Sequence, residues 1–226
     1  MLGNVLVTGG ASGLGAAAAA EILDAGGTPL ILDRKAPEVK VPYRKADLAD
    51  TEATAEAVHE LATETGRLDA VFTAAGIDSC GALADVPAED WEQVIRVNLL
   101  GTAATVRAAL PHLTETRGKV VTCASTLGVK AVADATAYCA SKFGVVGFTR
   151  ALAAETAGRI GVTLLVPGGM RTGFFDGRPE QYKPAPTAKL NDPRDVARAV
   201  VFALQQPPGC EVREMVVCCS EETSWP

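Results

Sequence analysis

Three side chains that could take part in a proton transfer occur in one short stretch of the sequence, from residue 125 to residue 142. Ser125 carries a hydroxyl, Tyr138 a phenol and Lys142 an amine. The apolar neighbours of Tyr138 predict a helix, in which positions i and i+4 share one face with Cβ atoms about 5–6 Å apart. A nearby ammonium favours a phenolate, which lowers the pKa of a tyrosine from its usual value of about 10. The stretch therefore predicts acid–base chemistry on an alcohol or carbonyl oxygen, to which Ser125 donates a hydrogen bond.

A glycine-rich turn near the start of the chain supports this interpretation, because the Tyr–Lys spacing alone also occurs by chance. Gly9, Gly13 and Gly15 lie between a predicted strand and a predicted helix. Glycine lets the backbone approach a pyrophosphate, and the helix N-terminus offers N–H donors and a favourable dipole. Asp33 ends the next predicted strand, where a carboxylate can bind the hydroxyls of an adenosine ribose. The turn predicts a dinucleotide cofactor.

The residues at the end of the second predicted strand also bear on the choice between NAD and NADP. A 2′-phosphate on the ribose would be repelled by the carboxylate of Asp33. The adjacent Arg34 and Lys35 could offset part of that repulsion. We therefore expect NAD, with NADP as the less favoured cofactor.

The composition is that of an ordinary globular domain. The chain has 226 residues, of which 48% are hydrophobic, enough for a sizeable core. A net charge of -6 argues against a nucleic-acid surface, and no apolar run reaches the roughly 18 residues of a membrane span. The six cysteines show no C-x-x-C spacing and no histidine companions, so no metal site and no disulfide framework are expected. With no charged leader before the first strand, we expect a cytoplasmic protein.

Short apolar runs alternate with helical patterns along the chain. Strands are predicted at 4–8, 30–33, 41–45, 69–73, 119–124, 162–166 and 214–218. Helices are predicted at 14–25, 51–65, 90–113, 138–157 and 192–204. Strands that are apolar on both faces and alternate with helices predict a doubly wound parallel sheet in an α/β, three-layer αβα sandwich. We expect one domain over 1–226, with an irregular segment at about 173–190.

Taken in order, these motifs resemble those of the classical short-chain dehydrogenase/reductase (SDR) family over nearly the whole chain. Residues 8–15 (T-G-G-A-S-G-L-G) are similar to the cofactor turn of that family, T-G-x-x-x-G-x-G. Residues 47–48 (D-L) are similar to its adenine-contacting pair, and 73–76 (T-A-A-G) stand where it has N-N-A-G. Residues 167–172 (P-G-G-M-R-T) are similar to its P-G-x-x-x-T segment beside the nicotinamide amide. Thr73 replaces the first asparagine of N-N-A-G, a side chain that braces the central sheet in the family.

The resemblance also assigns roles to four residues that match the catalytic tetrad of the family. Tyr138 is expected to exchange a proton with the substrate oxygen, and Ser125 to orient that oxygen. Lys142 is expected to lower the pKa of Tyr138 and to bind the nicotinamide ribose, and Asn98 to position a water that links Lys142 to solvent. The cofactor is then expected to contact, besides Tyr138 and Lys142, residues Gly9, Ala11, Ser12, Gly13, Leu14, Gly15, Asp33, Arg34, Asp47, Leu48, Ala74, Ala75, Gly76, Pro167, Gly168, Met170 and Thr172.

The activity implied by the resemblance is that of an oxidoreductase on a Rossmann-type fold. It would transfer a hydride between a nicotinamide cofactor and a small secondary alcohol, ketone or aldehyde. An NADPH-dependent carbonyl or 3-oxoacyl reductase is an alternative within the class. A non-catalytic dinucleotide-binding regulator is an alternative of another class, which the presence of Ser125, Tyr138 and Lys142 disfavours.

Several other residues receive simpler predictions. His59 and His112 lie on helices with no partnering Cys, Asp or His pattern and are expected to be surface or helix-end residues. The pair 218–219 (C-C) is expected to alternate along the last strand, and 78–80 (D-S-C) to line the substrate pocket. The pair 174–175 (F-F) leads the irregular segment that, by resemblance, covers the substrate.

The two helices at 90–113 and 138–157 carry apolar residues on more than one stripe, which predicts burial on more than one side. In the family these helices pair with their copies across a two-fold axis, so we expect a homodimer or a homotetramer. The segment after residue 217 lacks the glycine-rich tail of the family, which makes the tetramer the less certain of the two. The apolar residues on which this expectation depends are Trp91, Val94, Ile95, Leu99, Val106, Leu110, Phe143, Val146 and Phe148.

Overall fold

Seven strands form one sheet in the order β3-β2-β1-β4-β5-β6-β7, in a computed structural model that describes residues 2–225. Every neighbouring pair in the sheet is parallel. The sheet therefore has the doubly wound arrangement that the sequence predicts. The strands are β1 (Asn4–Thr8), β2 (Thr28–Asp33), β3 (Tyr43–Lys45), β4 (Ala70–Thr73), β5 (Lys119–Cys123), β6 (Gly161–Pro167) and β7 (Glu214–Val217).

Helices cover both faces of the sheet. One face packs against α1 and α6, and the other packs against α2, α4 and the C-terminal part of α5. Side chains alternate between the two faces along β1. Val5 and Val7 therefore pack in the core on the side of α1 and α6, and Leu6 packs in the core on the side of α2 and α4. The helices are α1 (Gly13–Asp24), α2 (Thr51–Thr65), α3 (Ala88–Ile95), α4 (Gly101–Thr116), α5 (Thr136–Glu155) and α6 (Pro193–Leu204).

The order of the strands determines where a ligand can bind. The chain builds the sheet outward from β1 to β3, then returns to β4 on the other side of β1 and continues to β7. Such a reversal leaves a crevice at the carboxyl ends of the strands, where open α/β sheets bind their ligands. The segments that follow β1, β4, β5 and β6 meet at that edge, and they carry the motifs identified in the sequence.

The helix predicted at 90–113 differs from expectation in one respect. The chain is helical from Ala88 to Thr116, but Arg96–Leu100 forms a π-helical turn between α3 and α4. A single π turn inside an α-helix is rare and often lies at a functional site. Nothing in the apolar periodicity predicts it.

One minor prediction was wrong. The strand β7 ends at Val217, so Cys218 and Cys219 follow it instead of alternating along it. His59 lies on the surface as predicted, and its Nδ1 lies 3.3 Å from His112 Nε2, between α2 and α4. The segment at 173–190 is irregular as predicted, with two short 3-10 turns at Gly173–Phe175 and Glu180–Tyr182. Within residues 2–225, no helix is long and apolar enough to cross a bilayer.

Candidate active site

A cleft of about 790 Å³ opens at the carboxyl edge of the sheet. Its volume lies within the range of about 300–1,000 Å³ that is typical of ligand sites. Ala11 and Asn98 lie outside the lining of the cleft and act through neighbours. The other expected site residues all line it: Gly9, Ser12, Gly13, Leu14, Gly15, Asp33, Arg34, Asp47, Leu48, Ala74, Ala75, Gly76, Ser125, Tyr138, Lys142, Pro167, Gly168, Met170 and Thr172.

The glycine turn between β1 and α1 is shaped for close approach. Gly9 has a φ of +70°, and a Cβ on it would lie 2.8 Å from the Cα of Ala75. A Cβ on Gly15 would overlap the carbonyl oxygen of Gly9. The N-cap of α1 is Ser12, whose side chain makes no capping hydrogen bond, so the first N–H groups of this helix remain available to an anion.

Asp33 lines the cleft and connects two segments of the chain through its carboxylate. Its Oδ2 accepts a hydrogen bond from the N–H of Ala11 at 3.0 Å, and its Oδ1 accepts one from the N–H of Lys35 at 2.9 Å. The carboxylate thus joins the glycine turn to the end of β2. Arg34 is 64% exposed, and its Nη1 lies 3.7 Å from Asp47 Oδ2.

These residues fit a dinucleotide. The uncapped helix N-terminus and the glycine turn provide a pyrophosphate site, and a fixed carboxylate lies at the end of the adjacent strand. A Cβ on Gly13 would lie 3.6 Å from the side chain of Thr172, which brings the 167–172 segment next to the turn.

Ser125, Tyr138 and Lys142 line the same cleft. Ser125 follows β5 and begins a 3-10 turn, where its Oγ accepts a hydrogen bond from the N–H of Leu127 at 3.1 Å. Tyr138 and Lys142 both lie on α5, and Lys142 Nζ is 5.7 Å from the centroid of the tyrosine ring. The i, i+4 geometry that the sequence predicts is present.

The electrostatics of these groups are governed by burial. Burial raises the pKa of Tyr138, and a hydrogen bond from Ser125 partly opposes this by lowering the pKa. Burial also lowers the pKa of Lys142, whose Nζ donates to the carbonyl oxygen of Cys123 at 2.9 Å. The expected depression of the Tyr138 pKa by Lys142 is therefore not present in this structure, because desolvation of the phenol outweighs the favourable contacts.

Asn98 lies in the π-helical turn and is fully buried. Its Oδ1 accepts from the N–H of Ile77 at 2.8 Å, and its Nδ2 donates to the carbonyl of Ile77 at 2.9 Å and to Ser141 Oγ at 3.0 Å. Ser141 Oγ donates in turn to the carbonyl oxygen of Tyr138 at 2.8 Å. The side-chain amide of Asn98 thus joins the loop after β4 to α5.

Gly76 separates Asn98 from Lys142. A Cβ on Gly76 would lie 3.5 Å from both Asn98 Oδ1 and Lys142 Nζ, so the two polar atoms converge on the same point beside the backbone.

Within the same motif, the buried Oγ1 of Thr73 has no hydrogen-bond partner in the described chain. This agrees with the loss of the bracing asparagine at that position.

The structure adds functional candidates that sequence reasoning missed or left unpaired. The ring of Phe174 lies 5.7 Å from that of Tyr138, at an angle of 56°. Asp78 forms an ion pair with Arg178 at 2.6 Å. Glu222 lines the cleft, and its Oε2 accepts from the N–H of Gly169 at 3.0 Å. No local signal marks Arg178 or Glu222, because each meets its partner only through the tertiary fold.

The parallel sheet, the glycine turn and the Ser–Tyr–Lys cluster define a dinucleotide-dependent oxidoreductase. The model of the short chain dehydrogenase family matches residues 3–183, and the chain belongs to that family.

The similarity to individual relatives extends over most of the chain. The chain is 32% identical over 234 residues to the (2S)-[(R)-hydroxy(phenyl)methyl]succinyl-CoA dehydrogenase subunit BbsD of Thauera aromatica. This match covers 95% of this chain and 94% of that protein. The chain is 31% identical over 215 residues to carbonyl reductase family member 4 of Danio rerio, over 89% of this chain and 91% of that protein. An alcohol dehydrogenase from Thermococcus sibiricus, solved in complex with 5-hydroxy-NADP, superposes with a TM-score of 0.85 at 23% identity, over 95% of both chains.

The named relatives are dehydrogenases and reductases that act on hydroxyl or carbonyl groups. This chain is accordingly an oxidoreductase that uses a nicotinamide cofactor to interconvert an alcohol and a carbonyl compound.

Proposed function

We propose that Tyr138 is the acid–base of this oxidoreductase, acting on a small secondary alcohol or its ketone, or on an aldehyde. One observation supports this above the others: Ser125, Tyr138 and Lys142 lie together in the same cleft that carries the glycine turn. A reacting carbon bound beside Tyr138 would therefore lie next to a cofactor held by that turn. The cofactor supplies the acceptor or donor of the hydride when it is bound.

In the oxidation direction, Tyr138 Oη takes the proton of the substrate hydroxyl. Ser125 Oγ donates a hydrogen bond to the reacting oxygen and stabilises the charge that develops on it. Lys142 uses one of its three N–H donors on the carbonyl of Cys123 and keeps two for a ribose hydroxyl or water. The same groups reverse their proton transfers when a ketone is reduced.

Asn98 acts as a positioning residue in this proposal. Its hydrogen bond to Ser141 fixes the helix on which Tyr138 lies, and its two bonds to Ile77 fix the loop beside the cofactor. These contacts connect Asn98 to the phenol through the backbone of α5, and the water-positioning role that the resemblance implies stays a prediction.

NAD is the proposed cofactor, and the support is the state of Asp33. Both carboxylate oxygens of Asp33 accept backbone hydrogen bonds, which hold the carboxylate at the end of β2. A 2′-phosphate would meet that charge. NADP becomes the better cofactor only if Arg34, which is largely exposed, turns toward the phosphate.

The irregular segment at 173–190 is proposed to cover the substrate, supported by the contact between Phe174 and Tyr138. We also propose that residues 1–226 work as one domain that includes this irregular segment. The cytoplasmic location that the sequence suggests stays a prediction.

The proposed assembly is a homodimer through α4 and α5. Three of the nine apolar residues that suggested it, Val94, Val106 and Val146, are buried within one chain, and most of the others are half-buried. Leu100 and Phe143 remain 46% and 44% exposed on this face. They provide the apolar surface that a second copy would cover.

The principal experiment is a screen of secondary alcohols, ketones and aldehydes by nicotinamide absorbance, run with both NAD(H) and NADP(H). Turnover that requires Tyr138 supports the proposal, and turnover that survives Tyr138→Phe contradicts it. Carbonyl reductase family member 4 and a 3-oxoacyl-[acyl-carrier-protein] reductase of Thermotoga maritima are among the relatives. They favour the alternative of an NADPH-dependent reductase, which faster reduction with NADPH than with NADH would support.

A further inference from the structure

A buried ion pair connects the two chain segments that border the proposed substrate site. Arg178 Nη2 donates to Asp78 Oδ2 at 2.6 Å. Arg178 lies in the irregular segment at 173–190, called the covering segment below, and Asp78 lies in the loop after β4. The two side chains are only 18% and 5% exposed, and both line the cleft. Charged side chains are rarely so buried, because desolvation opposes the attraction between them. The placement of this pair therefore calls for an explanation.

The guanidinium of Arg178 also lies against two aromatic rings. Its Cζ is 5.0 Å from the centroid of Phe174 and 4.7 Å from that of Phe175, distances at which a cation is attracted to a ring face. Phe174 contacts the ring of Tyr138. A continuous series of contacts thus runs from Asp78 through Arg178 and Phe174 to the phenol.

The pair is close to Tyr138 in electrostatic as well as in steric terms. Asp78 raises the pKa of Tyr138 and Arg178 lowers it, so the two charges oppose each other at the phenol. The other titratable groups near the phenol are Cys123, at the end of β5, and Lys142, on α5.

The pairing is incomplete. A guanidinium and a carboxylate commonly form two parallel hydrogen bonds, but this pair forms one. Asp78 Oδ1 and Arg178 Nε are buried without a hydrogen-bond partner among residues 2–225. Asp78 Oδ1 and Arg178 Nε can therefore form a second hydrogen bond when a ligand occupies the cleft.

We infer that Asp78 and Arg178 are positioning residues that hold the covering segment over Tyr138 and balance the charge beside its phenol. The inference rests on the proposed role of Tyr138. It assigns the pair a function that neither residue has alone, since either charge without the other would bias the protonation of the phenol.

The test is a pair of single variants with opposite expected effects. Asp78→Asn leaves the charge of Arg178 uncompensated, which favours the phenolate. The pH of half-maximal kcat/KM for alcohol oxidation should then fall by about half a unit to one unit. Arg178→Gln leaves the charge of Asp78, and the same midpoint should rise by a similar amount. The double variant should return the midpoint toward that of the unmodified protein.

A second measurement does not depend on turnover. Backbone hydrogen exchange at 173–182 should become several-fold faster in both single variants, because the contact that holds the segment is lost. The matched controls are Glu214→Gln and Arg150→Gln, which remove an exposed long-range ion pair of 2.7 Å between α5 and β7. We expect both controls to leave the pH midpoint and the exchange at 173–182 unchanged.

The outcomes separate this inference from the proposed function. If the pH midpoints of the two single variants move in the same direction, or do not move, the proposed charge balance is wrong. Exchange at 173–182 that stays at the rate of the unmodified protein overturns the positioning role, whatever the activity. Turnover that survives Tyr138→Phe contradicts the proposed function instead, and the exchange measurement still decides whether the pair holds the segment.

Discussion

The side-chain amide of Asn98 donates a hydrogen bond of 3.0 Å to the hydroxyl of Ser141, across the interface between the π-helical turn and α5. Both residues are buried, and the same asparagine makes two further bonds to the backbone of Ile77. A single side chain therefore joins three segments of the site. The geometry of the phenol depends on it, although Asn98 itself lies outside the cleft lining.

Replacing Asn98 with alanine should lower the free energy of unfolding by about 2–4 kcal/mol. The change leaves an N–H and a carbonyl of Ile77 and the hydroxyl of Ser141 without that partner, and each buried unpaired group costs about 1–3 kcal/mol. Urea unfolding measures the loss. The control is Asn4→Ala, which removes one exposed bond to the carbonyl of Arg67 and should cost less than about 1 kcal/mol. Equal losses in the two variants would contradict this account of Asn98.

Replacing Tyr138 with phenylalanine should reduce kcat by at least about 100-fold while the affinity for the cofactor stays within about two-fold. The variant lacks only the hydroxyl that carries the proton, and such groups contribute about 10²–10⁴-fold. Steady-state kinetics and cofactor fluorescence titration measure the two quantities. Tyr182→Phe deletes the same atom from the covering segment and should keep most of the activity. A Tyr138 variant with more than a third of the original rate would refute the assignment.

The unmodified protein should bind NAD(H) more tightly than NADP(H), and Asp33→Asn should narrow the difference. The amide keeps the shape of the carboxylate but removes the charge that a 2′-phosphate would meet. We expect the ratio of the two dissociation constants to change by about 10-fold, as the loss of about 1.4 kcal/mol of repulsion requires. Fluorescence titration with both reduced cofactors measures it. Equal affinities before the substitution would show that Arg34 and Lys35 dominate.

Cofactor binding should weaken in acid because of Glu222. Hydrogen bonds from Ser224 and from the N–H groups of Gly169 and Thr223 lower the pKa of this carboxyl, although burial opposes the shift. The bonds to the carboxylate are therefore present above the unfolded-state pKa of about 4.3 and are lost as the pH falls through the lower folded-state value. Glu222→Gln should raise the dissociation constant of the cofactor by about three- to ten-fold at neutral pH.

The control for this prediction is the exposed neighbour Glu221, whose replacement with glutamine should leave the affinity unchanged. Titration of the cofactor from pH 7 to pH 3 should show a steeper loss of affinity in the unmodified protein than in the Glu222 variant. Identical pH dependence in both would show that Glu222 does not hold the 167–170 segment in place.

Phe143→Glu should convert a dimer into a monomer, because the new charge would lie on the apolar face proposed for the interface, where Phe143 is exposed. Light scattering at micromolar concentration gives the mass of each species. Leu23→Glu, on the exposed side of α1, changes a residue of similar exposure outside this face and should leave the mass unchanged. A monomer before any substitution would refute the interface, and a tetramer would show that residues 218–225 do not prevent further assembly.

The sequence by itself determined the fold class and most of the cleft. Both features depend on local patterns: strands apolar on both faces require a sheet covered on both sides, and a glycine turn after a strand requires an open helix N-terminus. The i, i+4 spacing likewise determined that Tyr138 and Lys142 share a face. These relations hold over a few residues, so the order of the amino acids is enough to predict them.

The tertiary structure alone decided which distant groups meet at the phenol. Asp78 forms its hydrogen bond with Arg178, and Gly169 with Glu222, only because the folded chain brings the loops at the carboxyl edge of the sheet together. It also decided the balance of the electrostatics, because the pKa of Tyr138 rises through burial despite the ammonium one helical turn away. Burial is a property of everything packed around a group, and no local pattern contains it.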